Sequence, residues 1–125
     1  MFPILMSAAM FASCAEQYVV NGSSNVEGLE GKTLYLKVFA GEDMRAIDSS
    51  RVVHGKFRFR GVLDSVTMAN VFVDDTSVMP VVLESGEVSL NIGESTQSAT
   101  GTPMNDSLSQ FIQRKTQIDA QMAEL

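Results

Sequence analysis

The sequence has few of the residues from which proteins build reactive centres. Its 125 residues include one cysteine, one histidine and no tryptophan. A single cysteine excludes a disulfide within the chain and a Cys-x-x-Cys redox pair, and with one histidine it also excludes a Cys/His zinc site. The sequence contains neither a phosphate-binding loop nor a dinucleotide fingerprint. We therefore expect no enzyme activity, no cofactor and no metal site in this chain.

Positive charge and long apolar runs are also scarce. Lys and Arg number 9 against 15 Asp and Glu, which gives a net charge of −6. We expect no nucleic-acid partner, because phosphate binding needs a clustered basic surface. No run reaches the roughly 18 apolar residues of a membrane-spanning helix. The hydrophobic content of 45% nevertheless suits one folded domain and excludes a disordered chain.

The first fourteen residues differ from the rest. They carry no charge, are mostly apolar, and end in small residues just before Cys14. This length suits the core of a signal peptide. Phe11-Ala12-Ser13-Cys14 resembles the processing box of a bacterial lipoprotein, which implies removal of residues 1–13 and a membrane anchor of two or more acyl chains on Cys14. The alternative is a buried N-terminal segment with an inert core cysteine.

The next part of the chain has the alternation of β-strands. The pattern predicts strands near residues 18–22, 33–39, 45–53, 56–60, 68–73, 78–83 and 87–92, with a short eighth at 98–100. His54 and Gly55 form a predicted two-residue hairpin turn. Pro80 places its strand at a sheet edge or a bulge, because proline lacks the N–H group. We expect a mainly β fold, a small antiparallel sandwich or open barrel of seven to eight strands, over residues 14–101.

A helix is predicted over residues 102–125. Thr102 suits its cap and Pro103 its first position. An apolar stripe with one lysine interruption recurs at helical spacing, at Leu108, Phe111, Ile118, Met122 and Leu125. The stripe either packs on the sheet or meets a part that this chain lacks. Because the pattern still runs at Leu125, we expect the natural protein to continue beyond it.

Three constellations resemble chemical sites, and each has a simpler interpretation. Residues 57–60 alternate Phe and Arg, but alternation places rings and cations on opposite faces, so they cannot grip one nucleic acid together. Residues 74–77 offer oxygen atoms for calcium without EF-hand spacing, so a solvated turn is expected. His54 lies at a predicted exposed hairpin tip, without triad partners. The predicted site residue is therefore Cys14, for lipidation.

Four short motifs follow one another in the predicted β domain and helix. They are Ile47-Asp48-Ser49, Gly55-Lys56-Phe57-Arg58-Phe59-Arg60-Gly61, Glu84-Ser85-Gly86, and Gly101-Thr102-Pro103-Met104-Asn105 followed by Leu108 and Phe111. Together they resemble a domain of unknown function at the N-terminus of many Bacteroidetes envelope lipoproteins. In that family the domain often precedes a thioredoxin-like module of the thiol-disulfide oxidoreductase or peroxiredoxin type. The resemblance implies a β-fold followed by a helix and no established activity.

Two main functions remain open from the sequence, and a β-domain that binds a sugar, a peptide or a metal is a third. In the first, the chain is a non-catalytic domain anchored in the bacterial cell envelope through Cys14, and it serves as a spacer or binds a protein partner. In the second, it is the N-terminal accessory domain of a thiol-disulfide oxidoreductase whose thioredoxin-like part is absent from this chain.

Overall fold

The computed structural model of the chain describes residues 16–123, so the predicted signal peptide and Cys14 lie outside the described residues. Eight strands and one helix form the described part. They are β1 (Gln17–Ser24), β2 (Thr33–Ala40), β3 (Asp43–Arg51), β4 (Lys56–Val62), β5 (Thr67–Val73), β6 (Thr76–Leu83), β7 (Gly86–Ile92), β8 (Gln97–Thr100) and α1 (Pro103–Ala123). The predicted fold class, mainly β with a C-terminal helix, is confirmed.

The strands form two four-stranded sheets. The β1 sheet has the order β4-β1-β7-β8, and the β2 sheet has the order β3-β2-β5-β6. Apolar residues on the facing sides of both sheets form one core. Its most buried members are Val20, Phe59, Val88 and Leu90 from the β1 sheet and Leu34, Leu36, Val71, Val81 and Leu83 from the β2 sheet. The alternation seen in the sequence therefore divides each strand into a core face and an outer face.

One pairing departs from the predicted antiparallel arrangement. β1 and β7 are parallel, with Tyr18 opposite Gly86 and Ser24 opposite Ile92. The connection at Ser85–Gly86 leaves the β2 sheet at the end of β6 and enters the β1 sheet, so it does not close a hairpin. Sequence alternation reveals strands but does not show which strand pairs with which, because both pairing directions use the same side-chain period.

The predicted turn at His54 and Gly55 is confirmed. Both residues have positive φ angles, 54° and 73°, as a type I′ turn requires. A Cβ atom at Gly55 would also lie 2.7 Å from the carbonyl oxygen of Ser24, so glycine is needed for space as well as for conformation. Pro80 lies in β6, which is the edge strand of the β2 sheet, as its missing N–H group predicts.

Side chains of β3 join the two sheets along one side of the sandwich. Asp48 Oδ2 accepts the Arg60 N–H at 3.0 Å, and Ser50 Oγ accepts the Arg58 N–H at 3.0 Å. These two N–H groups belong to β4, the edge strand of the other sheet. The bonds protect an edge that would otherwise invite pairing with another chain. We call these two contacts the β3–β4 seam.

Candidate functional site

The sequence-predicted site residues do not come together in the described structure. Cys14 lies outside it, and His54 is exposed at the tip of the turn between β3 and β4. Residues 74–77 form the turn after β5 and the first two residues of β6. In that turn Asp74 meets Lys32 across 3.6 Å, with both side chains largely in solvent. Within residues 16–123, no three His, Cys, Asp or Glu side chains are grouped to hold a metal ion.

The alternating Phe and Arg residues of β4 lie on opposite faces, as the sequence indicates. Phe57 and Phe59 are buried and meet edge to face at 5.8 Å, whereas Arg58 and Arg60 are exposed. The Phe57 ring covers Gly22 so closely that a Cβ atom there would lie 2.1 Å from it. The aromatic residues therefore serve the core, and they are not available to stack on a nucleic acid base.

Two ionisable groups have shifted pKa values, and both shifts have structural causes. Glu30 accepts the backbone N–H groups of His54 and Gly55 at 2.7 and 2.9 Å, and these bonds lower the pKa of Glu30. Burial, with a smaller effect from the Asp48 carboxylate, raises the pKa of Tyr18. The Tyr18 phenol therefore stays protonated at neutral pH, and the Glu30 carboxylate is used to hold the hairpin.

The main polar cluster of the structure lies where α1 meets the edge of the β2 sheet. Asn105 is fully buried, and its side chain binds the backbone of one residue on β6 through both of its polar atoms. Oδ1 accepts the Val82 N–H at 2.8 Å, and Nδ2 donates to the Val82 carbonyl at 2.7 Å and to Thr102 Oγ1 at 2.8 Å. The side chain thus replaces the strand partner that β6 lacks on this side.

One turn further along the helix, Ser109 binds backbone groups at the edge of the β1 sheet. Its Oγ atom accepts the Ala99 N–H at 3.1 Å and donates to the Ala99 carbonyl at 2.6 Å. Ala99 lies on β8, the edge strand of that sheet. Asn105 and Ser109 therefore join the two sheets across the side of the sandwich opposite to the β3–β4 seam. We call these contacts the helix seam.

The helix begins at Pro103, but its cap differs from the prediction. The Thr102 carbonyl accepts the Asp106 N–H at 2.9 Å, so Thr102 occupies the cap position. Its hydroxyl, however, is bound by Asn105, and the N–H groups of Met104 and Asn105 donate to the Glu84 carboxylate at 2.8 and 3.3 Å. A carboxylate at a helix N-terminus also meets the favourable end of the helix dipole. The chemical cap is therefore Glu84, from the end of β6.

Beyond these contacts, most of α1 lies in solvent. Residues 110–123 are all exposed, including the stripe residues Phe111, Ile118 and Met122. Leu108 alone of the described stripe is half-buried, in a cleft shared with β6 and β8. This cleft measures about 50 Å³, too small for an organic ligand. Of the two alternatives left open by the sequence, packing on the sheet applies only to the beginning of the helix.

Residues 18–108 match a protein family described as Domain of unknown function (DUF4369). The match covers the sandwich from Tyr18 onwards and the helix as far as Leu108. The chain belongs to this family. No curated protein matches the chain.

Several of the residues that suggested a known domain serve the architecture of this DUF4369 chain. Asp48 forms the β3–β4 seam, Gly55 makes the hairpin turn, and Glu84 caps the helix. Gly101 has a φ of 109°, and a Cβ atom there would lie 2.6 Å from the Glu87 carbonyl oxygen. Asn105 binds β6. The sequence predicts the turn at Gly55, but the roles of Glu84, Asn105 and Ser109 depend on contacts between distant segments and have no local signal.

Proposed function

We propose that this chain is a non-catalytic, lipid-anchored domain of the bacterial cell envelope that acts as a spacer. Cys14 would carry the lipid, and the sandwich and helix would hold whatever follows them away from the membrane. The absence of a catalytic constellation around His54, in the part of the chain that the structure describes, is consistent with this proposal. Among residues 16–123, no helix combines the length and apolar character that a bilayer crossing requires.

The observation that carries the spacer proposal is that β1 begins at one end of the sandwich and the described part of α1 ends beyond the other. β1 starts at Gln17, and its second residue, Tyr18, lies beside Gly86. A Cβ atom on Gly86 would touch the Thr102 side chain at 3.4 Å, so the helix also starts at this end. The attachment point of the lipid and the start of α1 therefore lie together.

From this shared end, α1 runs back along β8 and passes the far end of the sandwich. Ser109 contacts Ala99, and one turn later Ile112 and Thr116 line a depression with Gln97 and the β7–β8 turn. The 21 residues of α1 measure about 31 Å at a rise of about 1.5 Å per residue. Because the helix starts at the end that carries the lipid attachment, its described end would stand roughly 30 Å from that attachment.

The lipid anchor is tested by replacing Cys14. In a lipoprotein-processing bacterial host, Cys14→Ser is expected to abolish labelling by a fatty acid analogue and to release the chain from the membrane fraction. The matched control is Cys14→Ser with Ser95→Cys, which restores one thiol in the exposed β7–β8 turn but not at position 14. Continued membrane partition of Cys14→Ser in detergent would contradict the anchor.

The spacer geometry is tested by neutron reflectometry of the lipidated chain on a supported bilayer. An upright sandwich with its helix should give a protein layer of about 30 Å. A layer of about 20–25 Å, the thickness of two packed sheets with their side chains, would mean that the domain lies on its side and would contradict the spacer role.

The second candidate is an N-terminal accessory domain of a thiol-disulfide oxidoreductase. The apolar stripe of α1 at Phe111, Ile118 and Met122 favours it, because exposed large apolar side chains in a row are typical of surfaces that a further module covers. The intact mass of the protein isolated from its native membrane decides between the two. A mass near that of residues 14–125 plus lipid supports a small lipoprotein, whereas a mass larger by a whole domain supports the accessory role.

A further inference from the structure

The large apolar side chains that the sandwich leaves in solvent are concentrated at one end of it. Four of them, together with Met104 in the first turn of α1, are between 49% and 67% exposed and lie at the end where β1 begins. We call this set the end patch: Phe39, Val62, Val66, Met68 and Met104. Outside α1, Val53 is the other large apolar side chain among the described residues with at least half of its surface exposed, and it belongs to the hairpin at the opposite end.

The strand registers place these residues around the start of β1. Val62 pairs directly with Gln17, and the next residue, Leu63, donates its N–H to the Glu16 carbonyl at 2.8 Å. Val66 follows in the same loop, immediately before β5.

The remaining members lie on the other sheet and on the helix. Val38 pairs with Ala69, so the adjacent Phe39 and Met68 stand side by side on the outer face of the β2 sheet. The Met104 N–H donates to Glu84, which follows the end of β6. Apolar side chains therefore surround this end of the sandwich on both faces.

We propose that the end patch docks onto the lipid bilayer. The inference rests on the proposed anchoring at Cys14, which stands two residues before Glu16. Two extended residues span at most about 7 Å, so the acyl chains would enter the bilayer next to Val62 and Val66. The membrane is then the surface closest to the patch, and burial of exposed apolar side chains at the lipid interface is favourable.

The charges at this end point to apolar contact rather than attraction to anionic lipid. Glu16, Glu42, Asp43 and Asp64 are exposed there, and Arg45 and Arg60 stand close to the same rim. Carboxylates therefore outnumber guanidinium groups at this end, whereas recognition of anionic headgroups needs a cluster of basic residues. A bilayer of zwitterionic phosphatidylcholine is therefore the expected partner surface.

Docking is tested with a tryptophan placed in the patch. The chain contains no tryptophan, so a single introduced residue reports its own surroundings. Met68→Trp reports the patch, and Val53→Trp, equally exposed at the far end, is the matched control. The lipidated full-length gene product is reconstituted in phosphatidylcholine vesicles with bromine atoms near the headgroup end of the acyl chains.

The expected result is a loss of about half of the emission of Met68→Trp and no loss for Val53→Trp, because interfacial apolar faces sink about 5–10 Å into the headgroup boundary. Adding anionic lipid should not increase the quenching. Equal emission losses for both variants, or no loss for either, would overturn the proposal. A concentration-dependent dimer that protects Met68→Trp without lipid would instead assign the patch to a second copy.

The proposed anchor at Cys14 and the proposed docking of the end patch are tested by separate measurements. Flotation of the chain with vesicles measures anchoring, and quenching measures docking. If the chain floats with the vesicles but the emission of Met68→Trp is not quenched, the result supports the anchor and contradicts the docking surface. If the chain does not float, coupling Cys14 to a maleimide lipid supplies the anchor chemically, and the same pair of variants still decides whether the patch contacts lipid. Matching denaturation midpoints of the two variants establish that both are folded.

Discussion

Asn105 shows how one side chain can replace a missing strand. Its side chain makes three hydrogen bonds, and two of them satisfy the N–H and carbonyl groups of Val82 at the free edge of β6. We expect Asn105→Ala to lower the free energy of unfolding by about 2–4 kcal/mol, because each buried polar group left without a partner costs about 1–3 kcal/mol. Chemical denaturation measures the loss. The control, Gln110→Ala on the exposed face of α1, should stay within about 0.5 kcal/mol.

Glu30 is a second residue whose role is set by two backbone partners. Because the folded chain lowers its pKa, the contribution of Glu30 to stability is present above the pKa of the unfolded chain, ordinarily near 4.5, and is lost as pH falls through the lower folded value. Glu30→Gln should therefore be less stable than the native chain at pH 7, and the difference should vanish in acid. Denaturation midpoints across pH 2–7 check this. A difference that does not change with pH would contradict it, and Glu42→Gln in the β2–β3 turn is the control.

At the scale of elements, the joint between β8 and α1 depends on a residue without a side chain. Gly101 has a φ of 109°, and a Cβ atom there would meet the Glu87 carbonyl oxygen at 2.6 Å. Gly101→Ala should cost about 1–3 kcal/mol or more, because backbone strain and a steric conflict occur together. Gly28→Ala is the matched control, since a Cβ atom there meets nothing within 4 Å, and it should be neutral or slightly stabilising. Equal thermal midpoints for the two variants would exclude this role for Gly101.

The two parts of α1 should respond differently to the same substitution. Ile118→Ser with Met122→Ser changes the exposed part, so the free energy of unfolding should move by about 0.5 kcal/mol at most. Leu108→Ser changes the seated part, which shares a cleft with β6 and β8, and should cost about 1 kcal/mol or more. Urea denaturation compares the variants. A large loss of unfolding free energy in the variant with Ile118→Ser and Met122→Ser would mean that this part of the helix packs against the domain.

The elements themselves were predictable because each has its own periodicity. Eight strands, the His54–Gly55 turn and the start of the helix at Pro103 all follow from alternation, turn residues and helix signals in short windows. The parallel pairing of β1 with β7 was not predictable, because it is decided by which sheet the chain enters after Ser85. The cap shows the same limit. Thr102 is a good local candidate, but Glu84, 18 residues before it, supplies the carboxylate.

At the scale of the whole molecule, the fold is a sandwich joined along both sides by side chains. Asp48 and Ser50 form the β3–β4 seam, and Asn105 and Ser109 form the helix seam. These side chains bind backbone groups of the edge strands β4, β6 and β8 and so join the edges of the two sheets. These contacts make the first part of α1 a part of the domain, although most of the helix buries little apolar surface.

The two seams should act independently, because they lie on opposite sides of the sandwich. Four strands about 4.8 Å apart separate them by roughly 14 Å, beyond the distance at which substitutions usually couple. Asp48→Ala should cost about 0.5–1.5 kcal/mol, since its bonds are exposed, and the double variant with Asn105→Ala should lose the sum of the two effects within about 0.5 kcal/mol. Denaturant midpoints of the two single variants and the double variant test this. A loss of unfolding free energy clearly different from the sum would show that the two seams are energetically coupled through the core.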